Sequence, residues 1–167
     1  MQKTREIYLK FIYAVNKIVG YILFVLLAMM VTLTFFQVFN RFVLSSSISW
    51  SEEMSRYLMV WGVFLALGYA SRKNKLVALK FISEMMPQGP RKLLQFIIQV
   101  GVVAFGLLLS IYGLEMTMSV THQATPALEI SKSLVYAAVP IGGVLTVLNS
   151  IAYLVDNQTV EKMGEMK

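Results

Sequence analysis

Four stretches of this chain carry no charged residue, and that pattern decides the class of fold open to it. They cover residues 18–39, 57–70, 93–114 and 133–155, and every Lys, Arg, Asp and Glu falls between or beside them. At ~1.5 Å of rise per residue a 22-residue helix reaches ~33 Å, enough for a ~30 Å hydrocarbon layer. The second stretch alone would reach only ~21 Å as helix, so it has to borrow the turns before it. There Ser49 and Glu52 stand in the S-x-x-E pattern of a helix start, extending the segment back to residue 50. The expectation is an all-α integral membrane protein with transmembrane helices at about 18–39, 50–71, 93–114 and 133–155. Composition agrees: 57% of the 167 residues are hydrophobic and 14% charged, against roughly 25% charged in soluble domains. One membrane domain over residues 1–167 accounts for the whole length. The first stretch exceeds the ~7–15 residues of a signal-peptide core and no small-x-small cleavage site follows it, so it is expected to remain as a span.

The formal net charge of +6 could suggest nucleic acid, but Lys and Arg sit in short segments beside apolar runs rather than along one exposed helix. They read instead as an orientation signal. Residues 1–17 hold Lys3, Arg5, Lys10 and Lys17. Residues 72–92 hold Arg72, Lys73, Lys75, Lys80, Arg91 and Lys92, and the tail holds Lys162 and Lys167. Against these twelve, the other connections hold three: Arg41, Arg56 and Lys132. The positive-inside rule therefore places both termini and the central connection in the cytoplasm of a bacterial-type inner membrane. Two basic segments also carry apolar residues at helical spacing. Ile7, Tyr8, Phe11, Ile12 and Val15 form one stripe, and Leu76, Leu79, Ile82 and Met86 another, ended by Pro87 to Pro90. Interfacial amphipathic helices are expected at about 4–17 and 75–86.

The strongest polar feature is Trp50, Glu52, Glu53 and Arg56, because ionisable groups at the edge of lipid are costly and normally pair or face protein. Arg56 lies four residues after Glu52 and three after Glu53, so either pair can form on one helix. The cluster can be a helix end anchored at the interface by Trp50, a buried or partner-facing structural site, or a proton relay. Gln37, Asn40 and Arg41 close the first span, and Asn40 and Arg41 can cap it or reach that cluster across a short connection. Gly62, Ala66 and Ala70 make a small-xxx-small row that lets a helix approach closely, either within the chain or from another one. Ala138, Gly142 and Thr146 repeat that spacing beside Pro140, whose missing N–H is expected to kink the last span. The chain has no cysteine and one histidine, His122, which removes thiolate metal sites, disulfide chemistry and bis-histidine haem. No nucleophile–base pair, phosphate loop or carboxylate-rich metal motif is present, so no catalytic, cofactor-binding or metal residue is assigned, and the chain does not read as an enzyme.

Four ordered motifs give the chain a relationship. Phe36-Gln37-Val38-Phe39-Asn40-Arg41-Phe42 closes the first span, and Trp50-Ser51-Glu52-Glu53-Met54-Ser55-Arg56-Tyr57 opens the second, followed by Val60-Trp61. Gln123-Ala124-Thr125-Pro126-Ala127-Leu128 precedes the last span, which contains Val135-Tyr136-Ala137-Ala138-Val139-Pro140-Ile141-Gly142. Over most of its length the chain thereby resembles the small membrane subunit, the DctQ-like or Q subunit, of tripartite ATP-independent periplasmic (TRAP) transporters. The resemblance implies a scaffold for a large multi-span permease subunit that holds substrate and sodium sites, transiently fed by a soluble periplasmic substrate-binding protein. It also implies an organic anion as solute, of the dicarboxylate or sialic acid type, and marks Gln123, Pro126, Tyr136 and Pro140 as an outer-side motif. The family often has a His followed four residues later by an Asp after the second span. Lys75 and Leu79 stand there in this chain, so no role for that pair carries over. Two other classes compete: a self-sufficient, homo-oligomeric small transporter, for which a carboxylate inside a span would be expected, and a purely structural membrane protein.

Overall fold

The computed structural model describes the backbone of residues 2–43, 49–72 and 88–164, and the side chains of 5–43, 49–72 and 94–155. Five helices make up these residues: α1 (Gln2–Val43), α2 (Ser49–Arg72), α3 (Gln88–Ser119), the short α4 (Lys132–Tyr136) and α5 (Ala138–Gly164). The only strand-like pairing among them is a single antiparallel bridge between Ala124 and Ser131. The interfacial helix expected at 75–86 lies outside the described residues.

Among the described residues three segments are long and apolar enough to cross a membrane: Arg5–Val43, Leu94–Ser119 and Lys132–Val155. They contain the expected first, third and fourth spans. The 24 residues of α2 would reach ~36 Å, but α2, less apolar along its length, is not in that group. Residues 4–17 and 18–39 belong to one unbroken helix, α1. With no proline in α1 and its one glycine at position 20, nothing in the sequence forces a break between the two segments.

The last span is interrupted rather than smoothly continuous. Pro140 cannot donate to the carbonyl four residues earlier and its ring crowds it. That carbonyl belongs to Tyr136, where α4 ends. Ala137 bridges the gap, its N–H donating to Ser133 O at 2.9 Å while its own carbonyl accepts from Ile141 N at 3.3 Å. The expected kink thus takes the form of a break at residue 137.

In space the long helices follow the order α1, α2, α5, α3. α5 is therefore central: 44% of its most apolar window is buried, against 6% for α1. Val19, Leu65 and Leu145 form the core where α1, α2 and α5 meet, with Val15, Leu23, Leu26, Trp61 and Tyr69 against it. Close approach comes from glycine. A Cβ on Gly142 would stand 2.6 Å from Phe64 O of α2, and one on Gly143 would stand 2.8 Å from Gly106 O of α3. Adjacent glycines on α5 thus admit one neighbour each, the small-residue packing of helices in lipid. The outer faces stay apolar: Phe24, Phe35 and Phe42 of α1 and Ile111 and Tyr112 of α3 are among the most exposed side chains.

Candidate functional site

At the end of the bundle where α1 finishes and α2 begins, the polar residues singled out from sequence come together through Glu53. Its Oε2 accepts hydrogen bonds from Ala127 N at 2.7 Å and Leu128 N at 3.0 Å, and the Tyr57 hydroxyl donates to its Oε1. Glu53 is buried, and a carboxylate taken from water needs such donors. One turn of α2 earlier or later would miss the 120–131 connection, so the residues that open α2 place the carboxylate where that connection passes.

The connection is itself cross-braced. Thr125 is buried; its N–H donates to Ile130 O at 2.9 Å, and its hydroxyl accepts from Ile130 N at 3.2 Å. Glu129 closes this turn with a positive φ of 54°, a left-handed conformation uncommon for a residue with a side chain. Lys132 N donates to Gln123 O at 2.9 Å and Lys132 Nζ to Gln123 Oε1 at 3.1 Å. Ser131 caps α4 through Ser133 N, as short hydroxyl side chains do. The Gln123 to Leu128 motif and the Trp50 to Tyr57 motif are thus one construction, joined at Glu53.

The neighbouring residues divide. Gln37 Nε2 donates to Glu52 Oε1 at 2.9 Å, tying α1 to α2. Asn40 is buried and donates to Phe36 O at 2.8 Å within its own helix. Arg41, Arg56, Trp50 and Pro126 are exposed, while Tyr136 and Pro140 are half-buried in the α4 to α5 join. The carboxylates therefore turn to Gln37, Tyr57 and backbone N–H groups, not to the Arg56 pairing that helical spacing allows. Trp61 reaches the same region, its Nε1 donating to Leu134 O at 3.2 Å.

The two small-residue rows have different fates. Ala138, Gly142 and Thr146 are buried and Gly142 abuts α2. Gly62 and Ala66 instead face an open apolar groove of about 390 Å³ whose walls include Leu23, Leu27 and Met30 of α1, and a Cβ on Gly62 would meet nothing within 4 Å. Ala70 lies half-buried beyond it.

A second polar construction, absent from the sequence reading, lies toward the other end. Asn16 of α1 and Asn149 of α5 face each other as a reciprocal amide pair: Asn16 Nδ2 donates to Asn149 Oδ1 at 2.6 Å, and Asn149 Nδ2 to Asn16 Oδ1 at 3.0 Å. Asn149 Nδ2 also donates to Gly68 O of α2 at 2.7 Å, joining three helices. Nearby, Gln99 of α3 donates to Ser150 O at 3.1 Å, and Tyr8 of α1 to Leu148 O at 2.9 Å. For Asn149 the available signal was a lone amide inside an otherwise apolar run. Among the described residues no three His, Asp or Glu side chains gather as a metal site would require.

Comparison with known proteins places this arrangement. Residues 30–159 match the family described as tripartite ATP-independent periplasmic transporters, DctQ component. The chain is similar to the ectoine TRAP transporter small permease protein TeaB of Halomonas elongata, 25% identical over 147 residues, 87% of this chain and 76% of that one. It is similar to the sialic acid TRAP transporter small permease protein SiaQ of Vibrio cholerae, 24% identical over 165 residues, 89% of this chain and 95% of that one. It is also similar to the sialic acid TRAP transporter permease protein SiaT of Haemophilus influenzae, 27% identical over 115 residues, which are 69% of this chain but 19% of that one. The matched region holds Glu53, the 120–131 connection it grips, and the α5 glycines: this chain belongs to the DctQ family, the small permease component of TRAP transporters.

Proposed function

We propose that this chain is a non-catalytic scaffold in a sodium-coupled, binding-protein-dependent secondary transporter for organic anions of the dicarboxylate or sialic acid type. In this reading it crosses the bacterial inner membrane four times, with both ends in the cytoplasm, and holds a large permease subunit in place. α2 is the additional crossing, with Glu53 of its opening turns buried against the 120–131 connection and Glu52 held by Gln37. The relatives are named for two solutes, ectoine and sialic acid, and in this reading the residues that select the solute belong to the other subunits.

The observation that carries the scaffold reading is how the larger buried polar groups are engaged. Asn16 with Asn149, Asn149 with Gly68, Gln99 with Ser150, and Glu53 with Ala127 and Leu128 each join two elements of this chain. A binding site would aim such groups at a cavity. The partner reading is supported by the Haemophilus influenzae permease, where the matching stretch occupies 19% of a much longer chain, so that small-subunit-like and further sequence are covalently joined. A transient encounter with the binding protein completes the cycle.

The test is uptake into proteoliposomes holding this chain alone, the large permease alone, or both, with binding protein and a sodium gradient supplied throughout. Uptake is expected only with both subunits. Uptake by this chain alone would establish a self-sufficient transporter, and full uptake by the permease alone would remove the need for a scaffold.

A further inference from the structure

Between the first half of α1 and the last turn of α2 lies a groove of about 720 Å³, at the end of the bundle opposite Glu53. Tyr13, Lys17, Tyr21 and Phe24 line it from one face of α1, and Tyr69 and Arg72 from α2. Among the described residues its walls hold two cations and no carboxylate. Arg72 is half-buried with its guanidinium carbon 5.7 Å from the centre of the Tyr13 ring. Its Nη1 is buried and has no hydrogen-bond partner among the described residues. A guanidinium N–H withdrawn from water without an acceptor is unfavourable, and between two cations an anion is the acceptor that suits it. Asn16, at the back of the groove, is already engaged with Ile12 O and Asn149.

The same face of α1 continues as an apolar stripe: Phe24, Leu27, Val31 and Phe35 are exposed by 71%, 57%, 58% and 71%. From 24 to 35 the stripe measures ~17 Å along the helix, about the reach of an acyl chain. A free inorganic anion would leave it uncovered. Basic recesses between helices at a membrane surface are suited to acidic lipid headgroups.

We propose that this groove binds an anionic phospholipid, its phosphate held by Arg72 and Lys17 among the tyrosine rings and an acyl chain laid along the 24–35 stripe. The site goes beyond the scaffold function and depends only on α1 and α2 lying in a membrane. The bound lipid would fix the depth of α1 and cover the open edge of the α1 to α2 contact.

The experiment is native mass spectrometry of the full chain in detergent, given equal amounts of phosphatidylglycerol and phosphatidylcholine with identical acyl chains. The phosphatidylglycerol adduct is expected to dominate. Arg72→Gln and Lys17→Gln should each reduce it about five-fold, the scale of one basic residue at a membrane surface, whereas Lys132→Gln at the other end should leave it unchanged. Millimolar inorganic phosphate should not displace it. Equal adducts of the two lipids on the unaltered chain, or insensitivity to both substitutions, would overturn the proposal. Displacement by inorganic phosphate would also overturn it, assigning the groove to a free anion. Should Arg72→Gln not yield folded protein, the exposed Lys17 and the lipid competition on the unaltered chain still decide.

Discussion

Removing one side of the Asn16–Asn149 pair should destabilise the bundle more than removing both in sequence would suggest. Asn149 makes two bonds to Asn16 and one to Gly68 O. Across membrane helices a single polar contact averages ~0.6 and reaches ~1.7 kcal/mol, so three contribute about 2 kcal/mol. Asn149→Ala also leaves the buried Asn16 side chain with its bond to Ile12 O but no donor to its Oδ1, adding a desolvation cost of about 1 kcal/mol. The expected loss for Asn149→Ala is therefore about 2–4 kcal/mol, and less for Asn16→Ala, because the further bond of Asn149 joins α5 to α2 at Gly68 O whereas that of Asn16 stays within α1 at Ile12 O. In the double variant no amide is stranded, so the two losses should fall short of additivity by about 1–2 kcal/mol. Reversible unfolding in mixed detergent micelles, followed by tryptophan fluorescence and circular dichroism, gives all four stabilities of the cycle. Additivity within about 0.5 kcal/mol would refute the claim that these amides stabilise one another.

Further outcomes are expected elsewhere in the chain. Glu53→Gln leaves one acceptor oxygen and no charge beneath Ala127 and Leu128, so amide exchange in the peptide spanning 121–131 should quicken by about ten-fold, as read by mass spectrometry; unchanged protection would show that the connection holds itself. Gly142→Ala drives a methyl toward Phe64 O and should cost about 1–3 kcal/mol, whereas Gly62→Ala meets open space and, with alanine the better helix former, should not lower the melting temperature of the isolated subunit; equal losses would contradict the α2 to α5 contact. Because the chain has no cysteine, single cysteines at Ser47, Ser83 and Thr159 can report sidedness: an impermeant thiol reagent should label only position 47 in whole cells, and labelling at 83 would reverse the orientation.

Much of the helical layout is legible in the sequence because lipid imposes it. Uncharged runs long enough to cross hydrocarbon, bounded by basic clusters, leave few alternatives for α1, α3 and α5, and Ser49 with Glu52 marks where α2 begins. Pro140 announces the interruption at residue 137 by the bond it cannot make. What stays hidden is which apolar surface faces inward, since lipid-facing and protein-facing positions are equally apolar: Phe24 and Val19 look alike in sequence, yet one is 71% and the other 8% exposed. The partners of the polar groups are hidden for a different reason. Glu53 meets backbone N–H groups 74 and 75 residues away, and a backbone donor has no side-chain signature, whereas the nearby Arg56 does. Asn16 and Asn149 are 133 residues apart, the first beside Lys17 in a basic segment and the second inside an apolar run, and neither gives a sign of the other. Gly62 and Gly142 sit in similar small-residue rows, but only the second is met by a neighbouring helix.

The central claim is that the polar groups of this chain hold helices and carry neither solute nor ion. The direct measurement is the sodium dependence of uptake per assembled complex, taken on proteoliposomes with the large permease and either the unaltered chain, Glu53→Gln or Asn149→Ala. Both variants should yield less assembled complex, while the complexes that do form should show the same half-saturating sodium concentration, the same steepness of the sodium curve and the same rate per complex. A shifted or flattened sodium curve with undiminished assembly would contradict the account and place this chain in the transport path.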